Sequence, residues 1–265
     1  GEDCSTDKTL EICKKYADQY PEKINLIAHP KNLGLVGNFL ETLSNCKGKY
    51  IAICAGDDYW IDPKKLGMQT KFLEKNEDFS MVASEAYYNA YNINKSIRQF
   101  LAIITNNLFV GGLGRTFEIL RLYFRNEDEF WKRRISKFTN KRPKENNLEN
   151  FLRDIQGSRY YPASTILVKR EIIERLPAKA ISLWGAEHLP IILWSTLHGK
   201  IKLLKNVTVM KNTIPTSVTV TKVHKINLDK IDPNKKLIKL LELARESSTD
   251  YNINLINQKI DTLKS

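Results

Sequence analysis

The chain has 265 residues, of which 42 are Lys or Arg and 30 are Asp or Glu, giving a formal net charge of +12. Its 42% hydrophobic and 27% charged content is that of a folded globular chain and excludes general disorder. The length suits one domain or two small ones, and no uncharged apolar run approaches the roughly 18 residues of a membrane-spanning helix. The charged residues Glu2, Asp3, Asp7 and Lys8 near the start argue against a secretion signal there.

In chain order, Ser5, Thr6 and Asp7 are N-cap residues for a first helix. Its apolar positions Leu10, Cys13, Ala17 and Tyr20 recur at helical spacing until Pro21 ends it. Residues 24–28 read as a short strand, and Asn32-Leu33-Gly34 as a turn. Val36, Phe39, Leu40 and Leu43 mark a second helix, with Gly48 as its C-terminal stop. The continuous apolar run 50–55 is expected of a strand buried on both faces, and Gly56-Asp57-Asp58 follows it directly. Asp62-Pro63 opens a third helix, with Asp at the N-cap and Pro at the first helical position. Residues 79–83 form a further strand. This alternation predicts an α/β fold with a mainly parallel sheet and helices on both faces.

Residues from about 89 to 157 break the rhythm. Phe117, Leu120, Tyr123, Phe130 and Trp131 lie among many Arg and Lys, which suggests basic amphipathic helices packed on the domain or docked at a membrane surface. Order returns with a strand at 164–168, a short helix at 170–176, an apolar helix at 189–197 and two short strands at 201–204 and 207–210. The last 40 residues have helical periodicity and look like an appended tail.

The positive surplus falls between Arg115 and Lys225, densest around Lys132-Arg133-Arg134 and Lys141-Arg142. Such a surface attracts phosphates or anionic headgroups, or is simply solvated. No nucleic-acid-binding motif accompanies it, so nucleic acid is not an expected partner. Cys4, Cys13, Cys46 and Cys54 form no C-x-x-C pair. Cys13 and Cys54 read as buried small hydrophobes, and reduced thiols in a cytoplasm are expected.

Ligands of open α/β sheets bind beyond the carboxyl ends of the strands, where Asp57 and Asp58 fall by this reading. One carboxylate can hold a divalent cation that keeps waters and takes diphosphate oxygens, and the other a sugar hydroxyl. Asp-Asp in a turn is also commonly just a turn. Glu2-Asp3 stands similarly before a helix, suited to an imide N–H of a pyrimidine base or to compensating the helix dipole.

These segments resemble family 2 glycosyltransferases of the GT-A fold, the bacterial surface-polysaccharide type. Glu2-Asp3-Cys4-Ser5-Thr6-Asp7-Lys8-Thr9 resembles their "(D/E)D-x-S-x-D-x-T" segment, and Asn32-Leu33-Gly34 with Asn38 their "N-x-G…N". Lys47-Gly48-Lys49-Tyr50-Ile51-Ala52, leading to Gly56-Asp57-Asp58-Tyr59-Trp60, resembles their strand and metal motif. Weaker similarity resumes at Pro162-Ala163-Ser164-Thr165. The resemblance implies a Rossmann-like nucleotide-diphospho-sugar transferase acting by inversion, with Mn2+ or Mg2+ as cofactor. Asp3, Glu2 and Asn32 would hold the nucleotide, Asp57 the ribose or donor sugar, and Asp58 the metal bridging the diphosphate. The metal would act as a Lewis acid on the leaving group.

The family's catalytic base, usually Asp, falls where this chain has Glu187-His188, so either side chain is a candidate base, or the chain is inactive. Trp184 is a candidate for stacking on an acceptor sugar or a core residue. Lys211 stands where many relatives carry an Arg, and would serve as a point charge. The strand, turn and helix that precede the Glu2-Asp3 segment in the family are not in this chain. The expected organisation is a glycosyltransferase domain over 1–225, made of a nucleotide-binding part (1–88), a basic helical insert (about 89–157) and an acceptor-side part (158–225), followed by a tail (226–265). The expected activity transfers a sugar, UDP-linked, to a saccharide or lipid-linked acceptor in the cytoplasm. Peripheral contact with anionic membrane at its inner face belongs to the same expectation. The alternative is a non-catalytic nucleotide- or glycan-binding relative or partner subunit.

Overall fold

The computed structural model describes residues 1–89, 143–155, 161–212 and 232–264. Most of the basic insert therefore lies outside the described residues, as does the stretch preceding the tail.

Helix α1 (Thr9–Gln19) begins after Asp7, whose Oδ1 accepts the Thr9 N–H at 2.9 Å. Helix α2 (Gly34–Ser44) starts at Gly34, which adopts φ +73° as it leaves the turn. Strand β1 (Tyr50–Ala52) leads through a turn into β2 (Tyr59–Trp60) and helix α3 (Lys65–Lys75). Asp62 receives the Lys64 N–H at 2.8 Å, so it caps the turn that precedes α3 rather than the helix itself. The long strand β3 (Phe79–Asn89) follows. The described end of the insert holds β4 (Glu145–Asn146) and α4 (Leu148–Asp154), and a 3-10 turn (Ala163–Thr165) and β5 (Leu167–Lys169) follow it. Helices α5 (Arg170–Arg175), α6 (Ala178–Trp184) and α7 (His188–Leu197) lead to β6 (Lys200–Asn212). Helices α8 (Pro233–Glu246) and α9 (Asp250–Lys264) close the described chain.

The sheet order is β1-β5-β3-β6-β2, with β4 also beside β6. The expectation of a mainly parallel sheet is corrected. Among the described ladders only β3–β6 is parallel, and β1–β5, β3–β5, β2–β6 and β4–β6 are antiparallel. The reason is insertion. β1 and β3 point the same way, as a strand–helix–strand crossover requires, but β5 arrives later in the chain and slots between them in the opposite sense. Periodicity identifies strands but carries no information about which distant strand fills a gap.

Several local expectations also shift. Residues 24–28 contribute one parallel bridge, Glu2 to Ala28, rather than a strand. The apolar run 50–55 is strand only to Ala52; Ile51 is buried while Tyr50 and Ala52 are half-buried, because β1 ends the described sheet. The two short strands expected at 201–210 are one strand of 13 residues, whose excess over the 11 of β3 is taken up in register shifts. Cys54 is exposed and Cys13 half-buried, and all four cysteines are free thiols.

The sheet buries apolar side chains on both faces. On one, Leu73 of α3 packs with Phe79, Val82 and Leu167, and Phe72 meets Phe79 edge to face at 4.9 Å. On the other, Met81, Ala83 and Val168 lie against α7, in which every residue from Leu189 through Leu197 is buried. The tail helices belong to this same cluster. Leu237, Leu240, Leu241 and Ala244 form one helical stripe, and Ile256 and Ile260 face it. The tail is therefore part of the main core rather than an appendage, and each such Leu contributes about 1.5–3 kcal/mol by leaving water.

Candidate active site

The site forms where the β1 segment ends. The backbone closes a turn with the Asp58 N–H donating to the Ala55 carbonyl at 3.0 Å. This leaves Asp57 half-buried and turns the Asp58 side chain inward, where it is 1% exposed. The Asp58 carboxylate is met from two distant parts of the chain. Ser164 Oγ donates to Oδ2 at 2.6 Å, and the Asn212 backbone N–H donates to Oδ1 at 3.0 Å. Lys211 Nζ lies 3.4 Å from Oδ2. The Asn212 side chain donates to the Asp57 carbonyl at 2.6 Å, so the end of β6 clamps both residues of the acidic turn.

Beneath the turn lies an unusual buried cation. Lys65 is 1% exposed; its Nζ donates to Gln69 Oε1 at 2.9 Å and sits 4.6 Å from the centre of the Trp60 ring. Burial pushes its ammonium down to about 8. Gln69 in turn donates to the carbonyls of Thr165 at 2.8 Å and Val82 at 3.3 Å. Trp60 Nε1–H donates to the Ser164 carbonyl at 3.0 Å. Partial desolvation also raises the Cys54 thiol, although the residue as a whole is exposed, with the Asp58 charge adding to the effect.

Glu187 and His188 open α7, reached from α6 through Gly185 at φ +83°. Burial lowers the His188 imidazole; the neighbouring Glu187 carboxylate opposes the shift and the Lys211 charge adds to it. Lys211 thus lies within electrostatic reach of both the acidic turn and the start of α7. Trp184 is half-buried against the main core, at the end of α6.

Glu2, Asp3 and Asn32 form a second cluster. Asp3 Oδ1 accepts the Leu33 N–H at 2.6 Å, and the Asp3 carbonyl accepts from the Asn32 side chain at 2.8 Å. Asn32 Oδ1 also accepts the Gly34 N–H, so its amide is engaged at both ends by backbone. Glu2 is buried; Oε1 accepts the Ser5 N–H at 2.7 Å, whereas Oε2 has no partner among the described residues. The Ser5 hydrogen bonds hold this carboxyl below the usual range. Cys4 between them adopts φ +63°, a left-handed conformation that costs a residue with a side chain about 1–3 kcal/mol.

Ser164 and Asn212 carry contacts at the acidic turn, and Lys65 a buried contact with the neighbouring Trp60 ring, that the sequence pattern does not assign. Ser164 and Asn212 are more than a hundred residues from Asp58, and Lys65 lies on a helix whose spacing predicts only an exposed charge. The Pro162-Ala163-Ser164-Thr165 segment was the sole signal for Ser164.

A mixed sheet with helices on both faces, bearing an acidic turn at a strand end clamped by a later strand, defines a GT-A-type α/β protein. A search of solved structures agrees on the fold: S. aureus TarS 1–349 superimposes with a TM-score of 0.50 over 97% of this chain and 58% of that one, at 14% identity. The sequence profile described as Glycosyl transferase family 2 matches residues 2–176, and the chain belongs to this family. Among curated relatives, an uncharacterized protein of Mycobacterium tuberculosis is 43% identical over 78 residues, 29% of this chain and 22% of its own. EpsE of Bacillus subtilis, named as a glycosyltransferase, is 40% identical over 83 residues, 31% of this chain and 30% of its own. An uncharacterized glycosyltransferase of Methanocaldococcus jannaschii is 36% identical over 87 residues, 33% and 29% respectively. The matched stretch thus spans less than a third of each relative.

Proposed function

We propose that the chain transfers a sugar from a nucleotide-diphosphate donor, UDP-linked, to a saccharide or lipid-linked acceptor in polysaccharide assembly, with inversion at the transferred carbon. The observation that carries this reading is the Asp58 carboxylate, buried at the strand end with two fixed hydrogen-bond donors and an ammonium 3.4 Å away.

Three donors reach an ionised carboxylate that offers about four lone-pair positions. No group of three or more His, Cys, Asp or Glu that could hold a metal occurs among the described residues. A single carboxylate is the protein share that Mg2+ or Mn2+ can take, since these ions bind through one or two carboxylates and complete their shell with waters and substrate phosphates. Asp58 is the residue that would hold it, and when bound the ion supplies Lewis-acid neutralisation of the departing diphosphate.

The remaining roles belong to the chain's own groups. Glu2 and Asp3 hold the base, with Asn32 fixing Asp3, and Asp57 takes a ribose or sugar hydroxyl. Lys211 offers a positive charge to the diphosphate. His188 takes the acceptor hydroxyl's proton at an imidazole nitrogen, since burial keeps the ring neutral at physiological pH. Glu187, its neighbour, is the alternative base. Trp184 borders the acceptor side. We place the protein in the cytoplasm with peripheral contact at the inner membrane face, and we divide it as a transferase domain over 1–225 with the tail packed into its core. No described helix is long and apolar enough to cross a membrane.

Calorimetric titration of the full chain with UDP and Mn2+ tests the reading. Binding is expected in the wild type and is expected to disappear in Asp58→Ala. Absence of binding, or binding unchanged in Asp58→Ala, rejects the role of this carboxylate. Wild-type binding without any donor turnover favours a nucleotide-binding, non-catalytic relative.

A further inference from the structure

We propose that Ser164 is a positioning residue for donor binding: its hydroxyl orients the Asp58 carboxylate toward the diphosphate site. The inference rests on the role given to Asp58 above and names what aims it.

The Ala55 backbone N–H reaches Ser164 Oγ at 3.1 Å, and an N–H only donates. Ser164 Oγ must therefore accept there, which leaves its single hydrogen for Asp58 Oδ2 at 2.6 Å. That separation is in the range of a charge-assisted O–H to carboxylate bond. Ser164 is 1% exposed, so water does not compete for the hydroxyl. With Oδ2 held by Ser164 and Oδ1 by the Asn212 N–H, rotation of the carboxylate about its last torsion is blocked. Lys211 Nζ, 3.4 Å from Oδ2, adds a third contact to the same carboxylate.

The serine is itself braced. Its carbonyl accepts from Trp60 Nε1 at 3.0 Å, and the next carbonyl, of Thr165, accepts from Gln69 at 2.8 Å. Three positions of one short segment (Ala55, Asp58 and Trp60) thus converge on one residue brought from over a hundred positions away. A serine that only pinned the turn would need the Ala55 and Trp60 contacts; the bond to Oδ2 acts on the functional group itself.

The test measures Mn2+ binding with UDP by electron paramagnetic resonance on the full chain, alongside binding of uridine, which lacks the diphosphate. Ser164→Ala is expected to weaken Mn2+–UDP binding roughly ten-fold or more and to alter the bound Mn2+ spectrum. Uridine affinity is expected to stay the same. Trp60→Phe removes the brace on the serine carbonyl while keeping a ring beside Lys65, and is expected to shift Mn2+–UDP binding in the same direction by less. It gives the answer should Ser164→Ala fail to fold. Equal Mn2+–UDP binding in wild type and the folded variants overturns the proposal, as does an equal loss for uridine and UDP. If the wild type itself binds no Mn2+–UDP, the role of Asp58 falls, and this inference with it.

Discussion

Replacing Lys65 by Met alters the pH dependence of stability in a calculable way. The ammonium is buried beside Trp60, without a carboxylate among its hydrogen-bond and ring contacts, and its pKa falls from 10.5 to about 8. The difference of 10.5 − 8, at 1.36 kcal/mol per pH unit, makes the charged form about 3 kcal/mol less favourable in the folded chain than in the unfolded one. Below pH 8 both states carry the proton and the full cost is present. Between pH 8 and 10.5 the folded state releases the proton while the unfolded state retains it, so stability rises with pH across that window. Lys65→Met removes this group from the cycle. Against it stand the lost bond to Gln69 Oε1 and the ring contact, each about 1 kcal/mol. At pH 7 the variant is expected to be near wild type or about 1 kcal/mol more stable, and by pH 10 to be less stable by about 2 kcal/mol. Urea denaturation of both proteins from pH 7 to 10 gives the difference curve, in which groups common to both, such as Lys49 and Tyr50, cancel. A flat difference curve refutes a buried, protonated Lys65.

Leu240 is fully buried among the tail helices and the main core, so Leu240→Ala is expected to destabilise the whole chain by about 2–5 kcal/mol in a single urea transition. Separate melting of the tail, with the core transition unmoved, would contradict a shared core. The lowered His188 places the acid limb of kcat/KM below the ordinary histidine value of 6.5, since the neutral base persists to lower pH. His188→Ala is expected to remove that limb and lower the rate by about 10²–10⁴-fold; a limb that persists in the variant assigns the base to Glu187.

The helices of this protein were largely legible from local chemistry. The stripe at Val36, Phe39, Leu40 and Leu43, the apolar run ended by His198-Gly199 and Pro21 just past α1's end all mark boundaries that the backbone respects. The place of the acidic turn was legible too, because two carboxylates follow directly on an apolar run. The partners of that turn were not. A serine hydroxyl, a backbone N–H and a lysine have no pattern in the chain that points to Asp58.

The amphipathic periods, the turn residues and the order of the family-like motifs are properties of neighbouring residues, and so the sequence by itself determined the α/β class, the helices and the position of Asp57-Asp58. Three things were decided only by the tertiary structure. β5 fills the gap between β1 and β3, which makes the sheet mixed. The tail's leucine stripe finds the main core instead of standing apart. Ser164, Asn212 and Lys211 converge on Asp58. Each depends on contacts between segments far apart in the chain, where the energy of burial and hydrogen bonding selects one partner among many that local pattern leaves equivalent.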